Sequence, residues 1–481
     1  MGSVNVIGNQ IDVGSIVSQL MELERQPVVM LEKQISSLKN KSAAYQVFNT
    51  KLSALGSAVN KILYGSTSAP LVSFGSLSDR MSKSVFTSRA ATSSNENTVS
   101  ATASGTISNG SYSIAVSQLA QAKTSVSKGY ATVTEDIGPF TGNITIGDKS
   151  VDIDFTAGTL KDLQKDLQKK INEAKIGVNA SIINDGTNYR LMLTSTETGI
   201  ANGFMIAGTM AIEMDFEARQ NAQDAMLTIN GIDITSSSNT VKDAIEGVTL
   251  NLKNTTTGSE TIKIDVAVNN DAIVSAISEM ISAYNEVNAY IASQFAYNDK
   301  GGTGVLSGDS TLRSVQSRLQ SAITLGMPAG YNNGYLALGN VGISFNRDGS
   351  LALDESKLKD ALSKDLDAVT NFFIGYEVPG IDPDKPQRVG GVMTGMGEAL
   401  KGLTDPLVNP IKNAMDGINR SISDIEKNIA AYEIRLQARE DMLYAQWTAA
   451  DQALRLMQVA LSSINSSLSS LTGNNNTGNN K

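Results

Sequence analysis

Gly308-Asp309-Ser310-Thr311-Leu312 has the form of a short lipase and esterase signature, Gly-Asp-Ser-x-Leu. Such a serine attacks a carbonyl only when a neighbouring base takes its proton, and that base is ordinarily histidine. The 481-residue chain contains no histidine and no cysteine. Ser-His-Asp triads, thiol nucleophiles, disulfides and thiolate or imidazole zinc sites are therefore excluded. Ser310 reads instead as the N-cap of a helix that carries Leu312, Val315 and Leu319.

Ser344 to Glu355, with Asn346, Asp348 and Gly349, partly imitates a calcium loop. Position one is Ser where an EF-hand has Asp, and the flanks read as strands where an EF-hand has helices. A hairpin turn around Asp348-Gly349 is the expected structure. Asp152/Asp154 and Asp382/Asp384 could serve glycoside or cell-wall chemistry as carboxylate pairs. Asp152 and Asp154 alternate along one strand face and are more simply its solvated side. The residues make no positive case for an enzyme, a cofactor or a metal.

Composition narrows the classes further. Asp and Glu number 48 against 39 Lys and Arg, for a net charge of −9. Without a basic run, nucleic acid is not an expected partner. No apolar run reaches the roughly 18 residues needed to cross a bilayer, so no membrane insertion is expected. The first basic residue is Arg25, so no cationic segment precedes an apolar one as in a cleaved signal peptide. The length suggests about three domains.

Helices at the two ends dominate the pattern. Leu31, Leu38, Tyr45, Leu52 and Val59 are spaced by seven, with Phe48, Leu55 and Ile62 three positions on. Gln34 and Lys41 take that companion position in the first two heptads and weaken them. Pro27 separates a short first helix from the long one. Near the C-terminus, Ile422, Ile429, Leu436, Leu443, Met457 and Ile464 lie on one register of seven. Ile425 and Tyr432 accompany its first half, and Trp447, Leu454 and Leu461 its second. The companion stripe shifts between Tyr432 and Trp447, as in a helix that changes partners. Such stripes pack in a supercoil, against each other or against a neighbouring subunit.

The middle is β-rich. Tyr64 to about Gly105 is rich in Ser, Thr and Ala, and its first part, Tyr64 to Arg80, reads as a loop leaving the helix. Alternating runs flank Gly147-Asp148, Asp185-Gly186 and Asn230-Gly231, three hairpin signals. Leu160, Leu163, Leu167 and Ile171 mark a short helix between them. Helices return with Ile273, Ile277, Met280, Tyr284, Val287 and Ile291 on one face. Asp354 and Asp365 are caps for two further short helices, and Val378 to Gly391 reads as a Pro/Gly loop.

The sequence resembles the flagellar filament cap protein family, the hook-associated protein 2 family, over nearly its whole length. The opening stretch Gln10 to Leu55 is similar to the family's, with Asp12, Ser15, Ile16, Val17, Leu20, Met21, Glu24, Pro27 and Leu31 in place. Its usual Gly-Leu-Asp entry is Gln10-Ile11-Asp12 here. Gly110 to Thr124 resembles the family's first β segment. Asp224 to Thr256 is the most specific stretch, with Asn239, Asp243, Ala244 and Gly247 falling as in the family. Leu338 to Leu358 and Ala438 to Gln458 resemble its late hairpin and C-terminal helix.

The resemblance implies an α+β multidomain chain: terminal helices paired as a coiled-coil leg, a mostly helical domain, and nested β-rich domains. The expected division is a leg of 1–42 and 431–481, a helical domain of 43–70 and 271–430, a β-rich domain of 71–130 and 221–270, and an outermost inserted α+β domain of 131–220. It implies a homo-oligomeric ring, expected to be a pentamer, at the filament tip. That ring promotes flagellin insertion and prevents loss of exported monomers. The implied partners are other copies of the chain, flagellin and a flagellar export chaperone. The implied location is extracellular, reached through the flagellar secretion channel without a cleaved signal. Self-association is expected along Leu31, Leu38, Tyr45, Phe48, Leu52, Leu55, Val59 and Ile62, and along Ile422, Ile429, Leu436, Leu443, Trp447, Leu454, Met457 and Leu461. Filament contacts are expected at Ile16, Val17, Leu20 and Met21. A second reading is a surface adhesin whose exposed β-rich domains bind host mucin or glycans.

Overall fold

The computed structural model of the protein describes residues 12–66, 76–105, 107–296, 304–324, 337–378, 387–404 and 409–473. Its helices are α1 Val13–Glu24, α2 Gln26–Tyr64, α3 Leu77–Lys83, α4 Leu160–Ala174, α5 Thr209–Glu213, α6 Asn270–Phe295, α7 Ser310–Thr324, α8 Glu355–Lys364, α9 Leu366–Ile374, α10 Val392–Thr404 and α11 Pro410–Gly473. The strands are antiparallel in every pair. The architecture is α+β and multidomain, with three separate hydrophobic cores.

The first core is helical. Val59 and Leu55 of α2 lie in it with Ile277 and Tyr284 of α6, and with residues of α7 to α10. Phe48 stacks on Tyr290 with ring centroids 5.8 Å apart, and the Tyr290 hydroxyl donates to the Ala44 carbonyl at 2.7 Å. Buried Tyr45 donates to the Asp309 carboxylate at 2.6 Å. Burial, and then that carboxylate, push the Tyr45 hydroxyl up to about 12. Asp309 also accepts from the backbone N–H groups of Thr311 and Leu312. Asp309 therefore caps α7, whereas Ser310, the residue expected to do so, is the helix's first residue. A carboxylate that serves a helix start and a buried phenol is structural.

Asp354 and Asp365 cap α8 and α9 as their types predict, accepting from Lys357 and Ala368. Asp348 sits in a hairpin turn between strands Ile343–Phe345 and Leu351–Leu353, and its carboxylate accepts from the Ser350 N–H and hydroxyl. Asn285 of α6 pins this hairpin by both accepting from and donating to the Leu351 backbone.

The second core lies between two sheets. One has the order Arg89–Ser93, Ile262–Val268, Gly110–Gln118, Ala225–Ile229, Ile232–Ser236; the other Thr240–Ile245, Val248–Leu252, Val99–Ala103. Ile114, Leu227 and Ile264 of the first meet Val99 and Leu250 of the second. Asn230 and Gly231 both have positive φ, 49° and 81°, as a type I′ turn requires. The Asn230 side chain then accepts from the Ser113 N–H on the neighbouring strand.

The third core belongs to the segment inserted between Gln118 and Ala225. One sheet runs Met205–Gly208, Phe140–Ile146, Lys149–Phe155, and the other Glu217–Gln220, Thr124–Val126, Tyr189–Ser195, Val178–Asn184. Leu160, Leu163, Leu167 and Ile171 of α4 fill the space between them. A capping box between Thr159 and Asp162 starts α4.

Two stretches differ from expectation. The stretch Tyr64 to Arg80, read as a loop, enters α3 at Leu77, and the Ser/Thr/Ala-rich residues after it hold the strands Arg89–Ser93 and Val99–Ala103. Those strands are rich in Ala, Ser and Thr, so alternation of apolar and polar residues is faint. The Val378 to Gly391 region is flanked by paired strands Gly375–Val378 and Gln387–Gly390. Residues 379–386, with Asp382 and Asp384, lie outside the described residues.

Phe48→Ala should lower stability in urea unfolding by about 3–5 kcal/mol, because it empties a fully buried site. Leu461→Ala, on an exposed face, should change it by less than about 0.5 kcal/mol.

Candidate functional site: the paired terminal helices

The candidate site is a seam between the two ends of the chain. Pro27 has no N–H to offer the Leu23 carbonyl, so the ladder breaks there and α1 gives way to α2 at Arg25. The Arg25 guanidinium pairs with Glu433 of α11, and Glu24 pairs with Arg439 at 3.5 Å. The lower-numbered residue meets the higher-numbered partner, so α1 and α11 run antiparallel. Both pairs are about half exposed, and each contributes no more than about 1 kcal/mol. The apolar seam supplies the rest: Val17 and Val28 are fully buried, and Ile425, Leu436 and Leu443 nearly so.

The expected residues separate into three groups. Tyr45, Phe48, Leu52, Leu55, Val59 and Ile62 are buried in the helical core with residues of α6. That face is occupied within the chain. Leu31, Leu38, Ile422, Ile429 and Trp447 are half-buried, on helices that touch one another along the seam. Leu454, Met457 and Leu461 are exposed. Of the residues expected at the filament, Val17 is buried in the seam, Ile16 and Met21 are half-buried, and Leu20 is exposed.

Val28 and Ile35 lie outside the heptad register read from the sequence. They lie three residues before Leu31 and Leu38, and they are buried and half-buried. Gln34 and Lys41, read as weak companions, face solvent. The companion stripe of α2 thus runs on one side of the Leu31 register early and on the other side from Phe48 onwards. Spacing from Val28 would have found it.

The third group stands out. Every described side chain from Gln452 to Ser470 is exposed. Leu454, Met457, Leu461, Ile464 and Leu468 form a stripe on it, each 44–61% exposed. From Gln452 to Ser470 this exposed length is about 28 Å at 1.5 Å per residue. Among the described residues, no helix is long and apolar enough to cross a membrane. No group of three metal-ligating side chains occurs among them either.

Val17→Asp or Leu436→Asp should release α1 from α11. Limited proteolysis would then cut near Arg25 several-fold faster than in the unchanged chain. Equal rates would show that the seam does not hold α1.

Three family models match the chain: the flagellar hook-associated protein 2 N-terminus over residues 9–123, its C-terminus over 222–459, and a flagellin hook IN motif over 140–197. The flagellar hook-associated protein 2 of Escherichia coli K12 is 32% identical, covering 97% of this chain and 96% of the relative. That of Xenorhabdus nematophila is 26% identical, covering 96% and 99%. The crystal structure of the D1-D2-D3 domains of the Escherichia coli flagellar cap protein superposes with a TM-score of 0.54 at 29% identity, covering 78% of this chain and 99% of that one. The chain belongs to the flagellar hook-associated protein 2 family, the flagellar cap proteins.

Proposed function

We propose that this chain forms a homo-oligomeric ring, a pentamer, at the tip of the flagellar filament, where it promotes flagellin insertion and prevents loss of exported monomers. One observation carries the reading: α11 outruns its partner α1 and leaves a stripe from Leu454 to Leu468 uncovered. A stripe of that length and spacing is built to pack against another helix. At a filament tip the available helices belong to neighbouring copies and to flagellin. Leu454, Met457 and Leu461 serve this contact, with Ile16, Leu20 and Met21 beside the seam. Leu31, Leu38, Ile422, Ile429 and Trp447 hold the leg together.

The division into leg, helical domain, β-rich domain and outermost domain follows the boundaries given above. The ring acts by position and needs no bond chemistry. The chain reaches the tip through the flagellar channel, and an export chaperone covers its apolar helices beforehand. The family matches lend no support to the adhesin reading with mucin or glycans.

In the parent bacterium, deletion of the gene should leave bare hooks and abundant flagellin monomer in the medium. Adding the purified chain should restore filaments. The double variant Leu454→Asp/Leu461→Asp should fold normally and fail to restore them. Normal filaments in the deletion strain would overturn the capping reading. Full rescue by the double variant would overturn the role of the stripe.

A further inference from the structure

The outermost domain carries opposite charge on opposite sides. On α4 the core is met by Leu160, Leu163, Leu167 and Ile171. Lys161, Lys165 and Lys169 lie on the far side, each four residues apart, and all three are exposed. None of their side chains makes a hydrogen bond or ion pair among the described residues. Of the acids beside them, Asp162 is engaged in the capping box with Thr159 and Asp166 with Lys170 at 2.9 Å, while Glu173, one turn beyond Lys169, is exposed at the end of the row.

The strand Lys149–Phe155 forms the other side. Val151, Ile153 and Phe155 point into the same core as α4. Asp152 and Asp154 alternate with them and therefore point away from α4. Both are exposed, and neither carboxylate has a hydrogen bond or ion pair among the described residues. Their sheet face continues through Asn143, paired with Asp152, and ends at exposed Met205. No described helix covers it, because α4 packs on the opposite side.

We propose that the outermost domains of neighbouring copies abut head to tail, the lysine ridge of one against the aspartate face of the next. The inference rests on the ring reading above and assigns one contact within it. Complementary patches on opposite sides of one domain make a heterologous contact, the kind that closes into rings. The spacing agrees. Lysines four apart on a helix stand about 6 Å apart, and alternate residues of a strand about 6.7 Å. Two Lys–Asp pairs can therefore form side by side. Met205 contributes apolar area at the edge of the contact.

The test is a charge exchange in the full chain, read by sedimentation velocity over a range of concentrations at low salt. K161E/K165E/K169E and D152K/D154K should each weaken self-association roughly tenfold, because each sets like charges against one another. The five changes together should restore it toward the unchanged chain. All sites are exposed, so circular dichroism should be unaltered. Salt should weaken the unchanged chain's association and leave the two single-face variants less affected. Association unchanged in both single-face variants, or no recovery in the combined variant, overturns this contact and leaves the ring reading intact. An unchanged chain that stays monomeric at every concentration overturns both.

Discussion

Everything in this molecule depends on the antiparallel packing of its two ends. Helix α2 has more apolar surface than one partner can cover, and it divides that surface. Early on, Val28, Leu31 and Ile35 lie along the seam with α11. From Tyr45 onwards the buried face includes Phe48 and Leu55 and belongs to the core with α6. Moving the companion from three residues before the heptad register to three after it rotates the apolar face around the helix. One helix is thus both half of a leg and the centre of a globular core. The leg's position relative to that core is set by the continuity of α2 itself.

Because the ends pair, the rest of the chain must leave and return through narrow points. The helical core passes to the first β core at Ser88 and Asn269, where the Asn269 N–H donates to the Ser88 carbonyl at 3.0 Å. The next passage is at Gln121 and Gln223, which exchange two backbone hydrogen bonds. There the outermost segment is also tied sideways. The Ile200 N–H donates to the Asp224 carboxylate, and the Thr198 hydroxyl to the Ser237 carbonyl. Gly199 between them has φ +99°, and an added Cβ would meet Ser237 at 2.6 Å. Only glycine allows so close an approach. The outermost domain is therefore held by its flank as well as by its two connecting strands.

Two of the side chains that resembled chemistry are spent on architecture. Asp309 caps α7 and anchors Tyr45. Asp348 closes a hairpin. Asp152 and Asp154 stand on an open sheet face with no charged partner among the described residues. A capping role of the kind proposed is exerted by assembly, and assembly uses exposed apolar and charged surface. The uncovered end of α11 is such a surface at one end of the molecule, and the two-sided outermost domain is another.

The sequence by itself determined the elements with strong period and strong punctuation. The terminal heptads, the break at Pro27, the face of α6, α4 with its four apolar residues and the three hairpin turns all follow from local rules. Those rules are side-chain direction in helices and strands, and the need for positive φ at turn residues. Weakly patterned strands such as Arg89–Ser93 escaped, because they owe their conformation to pairing with Ile262–Val268, far away in the sequence. The heptads showed that the helix ends were sticky but not what each turn would meet. Only the tertiary structure decided that Tyr45 to Ile62 are consumed by the core, that Val28 completes the seam, and that α11 outruns α1. The reason is physical: a hydrophobic stripe states how much surface must be buried, while its partner is chosen by the packing of the whole chain.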